Sequence, residues 1–213
     1  MDAYLCFGFS TKDWRRLETR LDHDEGAWAE AFRVFERRMK ERFFSCIDAL
    51  INADTKRDSQ SSASCTSSLW RPDAHCVPGF SIMALCCLLI ETMQAFREGH
   101  SVDTIGQFKK FLRRPAFGEA FAKDCIATLF VKGIRHGILH EAETRKWVIR
   151  REVPNAIVET QEDGHALNRT LFYEAIKQEF ASYLKELNDV AGPCNHDLRE
   201  KFRKQMNDIC EKT

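Results

Sequence analysis

The chain has 213 residues, 44% of them hydrophobic and 30% charged, with 32 Lys and Arg balanced by 32 Asp and Glu. That composition belongs to a globular chain and excludes wholesale disorder and fibrous or collagen-like repeats. A chain of this length buries roughly 70% of its unfolded surface without help from disulfides or metal, so one domain spanning 1–213 is expected. The zero formal charge removes any simple electrostatic argument for nucleic acid. Nine cysteines, two of them the neighbours Cys86 and Cys87 in an apolar run, do not resemble a disulfide framework and suit a reducing cytoplasm. The start, MDAYLCFGFSTKDW, is too short in apolar residues for a signal-peptide core. No segment offers about 18 uninterrupted apolar residues, so no membrane span is expected and the location is cytoplasmic.

In chain order, Ser10 or Thr11 is placed to cap a first helix carrying Trp14, Leu17 and Leu21. Trp28, Phe32, Phe35, Met39, Phe43, Ile47 and Leu50 then recur every three or four positions, which is the period of a long amphipathic helix. Between Asp54 and Pro78 the pattern breaks, and SQSSASCTSS holds six serines in ten residues, so a mobile surface loop is expected over about 54–78. GFSIMALCCLLIETMQAFREG follows as a helix apolar nearly all round, suited to the middle of a bundle. Its Glu91 is either a solvated or salt-bridged residue towards the helix end or a group lining a polar cleft.

A short helix is expected over Thr104 to Leu112. Pro115 then opens a helix whose Phe117, Phe121, Ile126, Phe130 and Ile134 form a buried stripe running into RHGILHEAE. KWVIRREV and NAIVET, with QEDG after them, suggest a small strand pair projecting from the helices. Asn168 caps a helix carrying Leu171, Phe172, Ile176, Phe180 and Leu184, and Gly192-Pro193 separates it from a polar last helix over about 196–211. The fold class that results is all-α, a helical bundle with a small β-strand pair appended after the motif helix.

The densest chemistry lies at Arg135, His136, Gly137, Ile138, Leu139 and His140. A guanidinium offers a fork of donors matched to phosphate oxygens, and an imidazole changes protonation near neutral pH, so the set suits phosphoryl chemistry in which a proton moves. On a regular α-helix His136 and His140 share a face, whereas Arg135 and His140 diverge by about 140°. Gly137 is the expected place for a bend that brings them round. A helix-end Arg and His also serve as a C-terminal cap and a surface ion pair, with Glu141 or Glu143 as partner.

RHGILHE, at the end of one bundle helix, resembles the signature of the HEPN family (higher eukaryotes and prokaryotes nucleotide-binding domains), in which an Arg is followed after four to six residues by a His. The residue after that Arg is commonly polar, and His136 agrees. Arg16 and His23 have a permitted spacing too, but on a charged stretch without the apolar context. The resemblance covers about residues 25–190 and implies a bundle of four or five helices. It further implies a metal-independent endoribonuclease, with no cofactor, in which the RNA 2′-hydroxyl attacks the adjacent phosphate to leave a cyclic phosphate and a free 5′-hydroxyl. By that analogy His140 is the general acid or base, Arg135 stabilises the phosphorane, and His136 orients the pair or contacts the phosphate. Many relatives are toxins or antiviral effectors with a composite site in a homodimer cleft, which implies an RNA substrate, a second copy and an antitoxin or other operon-encoded partner. Some relatives keep the fold as non-catalytic dimerisation or regulatory modules.

Residues 109–151 hold 11 Lys and Arg against 4 Asp and Glu, so the neutral total hides a basic middle. Lys109, Lys110, Arg113, Arg114, Lys132, Arg145, Lys146, Arg150 and Arg151 are candidates for a phosphate-tracking face. Lys132, Arg145, Lys146, Arg150, Arg151 and Glu91 are taken as the substrate contacts, and Trp147 is either a stacking surface or a core residue. No metal site is expected, because Cys194, His196 and Cys210 lack a paired Cys-x-x-Cys spacing and Cys65 and Cys76 sit in or beside the Ser-rich stretch. Neither a Walker-type phosphate loop nor a GxSxG elbow is present.

Overall fold

A computed structural model of the chain describes residues 3–61, 78–100, 104–151, 156–192 and 195–212. The chain opens on a hairpin, β1 (Tyr4–Cys6) and β2 (Phe9–Ser10), turned at Phe7-Gly8 with Gly8 at φ 74°. Ser10 then caps α1 (Thr11–Glu18): its Oγ accepts from Asp13 N at 3.3 Å, and the Asp13 carboxylate accepts from Ser10 N at 2.9 Å. α2 (Glu25–Met39) starts at Asp24, whose carboxylate accepts from Gly26 N, and passes through a π turn at Lys40–Phe44 into α3 (Ser45–Ser61). The amphipathic helix expected from Trp28 to Leu50 is therefore longer than its apolar period. The loop expected from Asp54 is helical as far as Ser61, since no Gly or Pro interrupts the segment and Asp54 pairs with Arg169. Most of that loop, residues 62–77, lies outside the described residues.

α4 (Gly79–Glu98) ends at Gly99, left-handed at φ 72°. It is the one helix among the described residues whose length and composition would fit a membrane span, and here Ile82, Met83, Cys86, Cys87, Leu89, Ile90, Met93 and Phe96 are buried in the bundle. α5 (Thr104–Leu112) follows as expected, but the helix expected from Pro115 is broken. A 3-10 stretch, Pro115–Phe121, contains Gly118 at φ 52° and stops before α6 (Asp124–Phe130) begins. Beyond the motif come β3 (Trp147–Arg150), β4 (Val158–Gln161), β5 (Gly164–Asn168), α7 (Arg169–Asn188) and α8 (Asn195–Glu211). Asn168 caps α7 as expected, its Oδ1 accepting from Thr170 N and Leu171 N at 3.1 Å.

Among the described residues the fold is thus mainly α with two small sheets, and the appended strand pair is in fact three strands in the order β3-β5-β4. QEDG does turn a hairpin, β4 to β5 with Gln161 opposite Gly164, while β3 runs parallel to β5 with Trp147 opposite His165. β5 escaped the sequence pattern because Ala166, Leu167 and Asn168 are all buried, and a strand covered on both faces does not alternate.

Two aromatic centres organise the core. Phe35 of α2 meets Phe96 of α4 at 4.4 Å, Phe202 of α8 at 5.4 Å and Phe180 of α7 at 5.7 Å. Four helices thereby share one ring, and the polar last helix is anchored through Phe202. The second centre joins Phe172 of α7 to Phe117, Phe121 and Phe130, and it supports the motif from below. Beside the first centre, buried Arg97 bonds both oxygens of Glu186, at 2.8 and 2.9 Å, with its guanidinium over the Tyr183 ring. Arg97 holds the Glu186 carboxyl below the usual carboxylate range.

Truncation of Phe35 to Ala is expected to cost about 3–5 kcal/mol, read as a lowered midpoint in urea unfolding. Because the folded Glu186 carboxyl is the stronger acid, its pairing contributes fully above the unfolded value of about 4.3 and is lost as pH falls through the lower folded value. Glu186→Gln should therefore flatten the acid limb of a stability-versus-pH curve.

Candidate functional site

The motif sits where α6 changes its winding. From Val131 to Arg135 and again from Gly137 to Glu141 the helix is closed by i→i+5 bonds, with His136 N donating to Val131 O and Ala142 N to Gly137 O. π turns of this kind occur disproportionately at functional sites. A turn closed at five residues takes up more chain than an α turn, so positions five apart lie nearer to one face than the regular helix allows. The backbone at Arg135 and His140 is therefore not the divergent one expected from an ideal α-helix.

Gly137 was expected to bend the helix, and it does something else. His136 stays in the right-handed helical region, and the helix stops at Ala142, left-handed at φ 52°. The chain then doubles back over Gly137, with Glu143 N donating to Gly137 O at 3.2 Å. A Cβ at Gly137 would collide with the Glu143 carbonyl oxygen, and one at Gly133, a turn earlier, would lie 2.5 Å from Trp147 Cδ1. Ala142 and Arg145, both in this return, are the two non-glycine residues with positive φ among the described residues, a conformation that costs of order 1–3 kcal/mol each. Trp147 is buried, stacks edge-on against Phe130 at 5.7 Å and donates from Nε1 to Leu129 O at 3.1 Å. It is a core residue, which removes it as a stacking surface.

Arg135 turns inward to α4. Its Nε donates to Oε1 of Glu91 at 2.8 Å, with side chains 20% and 26% exposed. Glu91 is thus salt-bridged to the motif Arg. His136 and His140 are exposed, and their rings lie 4.6 Å apart. His136 Nε2 is 4.0 Å from Glu141, which also accepts from Arg145 Nε at 3.0 Å, so Glu141 does form a surface ion pair. Arg145 holds the Glu141 carboxyl below the usual range, and the two imidazoles add to that effect.

Much of the basic stretch is engaged. Lys109 and Arg113 share Asp124, Lys110 bonds Glu98, Arg114 lies 3.6 Å from Glu179, and Arg151 lies 3.3 Å from Asp54, beside Arg169. Lys132, Lys146 and Arg150 are exposed and have no ion-pair partner among the described residues. Of the cysteines and histidine weighed for zinc, Cys210 is buried in the core, and Cys65, Cys76 and Cys194 lie outside the described residues.

Sequence reasoning missed the return loop that braces the motif. The signal was available in the pair Gly133 and Gly137, which share a helix face and leave it bare. Gly137→Ala should lower stability by ~1–3 kcal/mol in chemical denaturation, because the return must move away from the helix. No family model, no curated protein and no solved structure matches the chain.

Proposed function

We propose that the chain is a metal-independent endoribonuclease of the HEPN kind, built on its helical bundle and acting on single-stranded RNA through 2′-hydroxyl attack. The observation that carries this reading is the local arrangement on one π-wound segment: a partly buried guanidinium, Arg135, fixed at Nε, and two exposed imidazoles, His136 and His140, whose rings lie 4.6 Å apart at a tilt of 45°. His140 takes or returns the proton, Arg135 neutralises charge that builds up on phosphorus, and His136 orients its neighbour or contacts the phosphate. The exposed cations Lys132, Lys146 and Arg150 supply phosphate contacts along the strand. Arg145 and Arg151, already held by Glu141 and Asp54, contribute less. On this reading the site is completed in a homodimer, the protein works in the cytoplasm, and a toxin or antiviral role calls for an antitoxin or operon-encoded partner.

A second reading, a non-catalytic dimerisation or regulatory module that binds a partner protein or nucleic acid, draws on the same site. Glu91 on Arg135 and Glu141 beside His136 offset the positive charge that a phosphate would meet. The two readings separate in one assay. Purified protein is expected to cut single-stranded RNA in EDTA, and His140→Ala to abolish cutting with circular dichroism and native mass unchanged. Equal cutting by the variant would refute the assignment of His140 and with it the HEPN-type site, and no cutting by the wild type would refute the ribonuclease. RNA binding that weakens with salt yet survives the His140 change, without any cleavage, would establish the binding module.

A further inference from the structure

We infer that Glu91 is a positioning residue of the ribonuclease site, holding Arg135 by its Nε so that both terminal nitrogens of the guanidinium face the scissile phosphate. The inference rests on the ribonuclease reading. Glu91 Oε1 accepts one hydrogen bond from Arg135, at Nε, and the two terminal nitrogens have no bond to any described residue. An arginine grips a phosphate best through paired donors at one edge, and a carboxylate confined to the Nε side leaves the far edge free.

Both ends of this contact are fixed from the core. On α4, Glu91 follows the buried Ile90 and lies one turn after Cys87, whose thiol burial pushes well above its ordinary range. Arg135 follows the buried Ile134, with Val131 one turn before it. The carboxylate and the guanidinium therefore stand on two helices that cannot turn independently, and little side-chain freedom is left to lose when substrate arrives. The rim pair Arg145 with Glu141 differs: both side chains are exposed, and Arg145 lies on the return and not on a helix.

A carboxylate this close to a phosphate also repels it. Holding the guanidinium and opposing the anion pull in opposite directions on the two kinetic constants, which makes the role measurable.

The test is steady-state cleavage of a single-stranded RNA oligonucleotide in EDTA by wild type, Glu91→Ala and Glu91→Gln, each checked by circular dichroism. In Glu91→Ala the guanidinium is released, and kcat is expected to fall between about tenfold and about 100-fold with KM unchanged or lower. Glu91→Gln keeps an oxygen acceptor for Arg135 Nε without the negative charge, so it should retain most of kcat with a lower KM. Wild-type kcat in a folded Glu91→Ala, or a faster enzyme, would overturn the inference while leaving the ribonuclease standing. Glu91→Gln as impaired in kcat as the Ala variant would overturn it as well. An inactive wild type is a different failure: it removes the ribonuclease reading and the role of Glu91 together.

Discussion

The close approach of residues 143–147 to the helix they have just left is the contact from which the motif region follows. Only bare α-carbons at Gly133 and Gly137 leave room for it. Because the return lies flat on that face, Trp147 lands against Phe130, and β3 begins where β5 can pair with it. β5 leads directly into Asn168, which caps α7, and α7 sends Phe172 back onto Phe130 at 5.2 Å. The motif is thus held inside a closed circuit of packing.

Charge is managed by local pairing across the molecule. Arg97 with Glu186, Arg114 with Glu179, Arg169 with Asp54 and Arg199 with Glu25 each join parts of the chain distant in sequence, and each has at least one largely buried member. Burying an arginine without such a partner is costly, so these pairs fix which helices meet more than they add net stability. The motif follows the same rule at Arg135, while the exposed rings of His136 and His140 lie beside each other with the Glu141 carboxylate 4.0 Å from His136. A guanidinium held between two helices thus stands next to two imidazoles at the surface.

The helices were legible because their causes are local. Phe32, Phe35 and Met39 declare an amphipathic face, and Ser10 and Asn168 cap as their side chains require. What escaped depended on distant partners. Asp54 looked like the start of a loop, yet its ion pair with Arg169 holds it in α3. The π winding at 131–141 has no signature in a single sequence, because the choice between i→i+4 and i→i+5 is made by packing on α4 and β3. Within the motif, the residue types were visible, but Glu91 was separated from Arg135 by 44 positions, and nothing short of the fold joins them. Trp147 was open between surface and core, and Phe130 and Gly133 decide for the core.

The parallel pairing of β3 with β5 has a bearing on synthesis. Among the described residues β3 has no sheet neighbour except β5, and β5 is made after the whole β4 strand and its turn. A nascent chain that has emerged only as far as Arg150 carries Arg135, His136 and His140 together with the return that packs on them, but β3 has no β5 to pair with and the cap of α7 does not yet exist. Since chains emerge from the ribosome N-terminus first, the strand β5 and the helix α7, which hold the return from its outer side, are among the later parts of this protein to form.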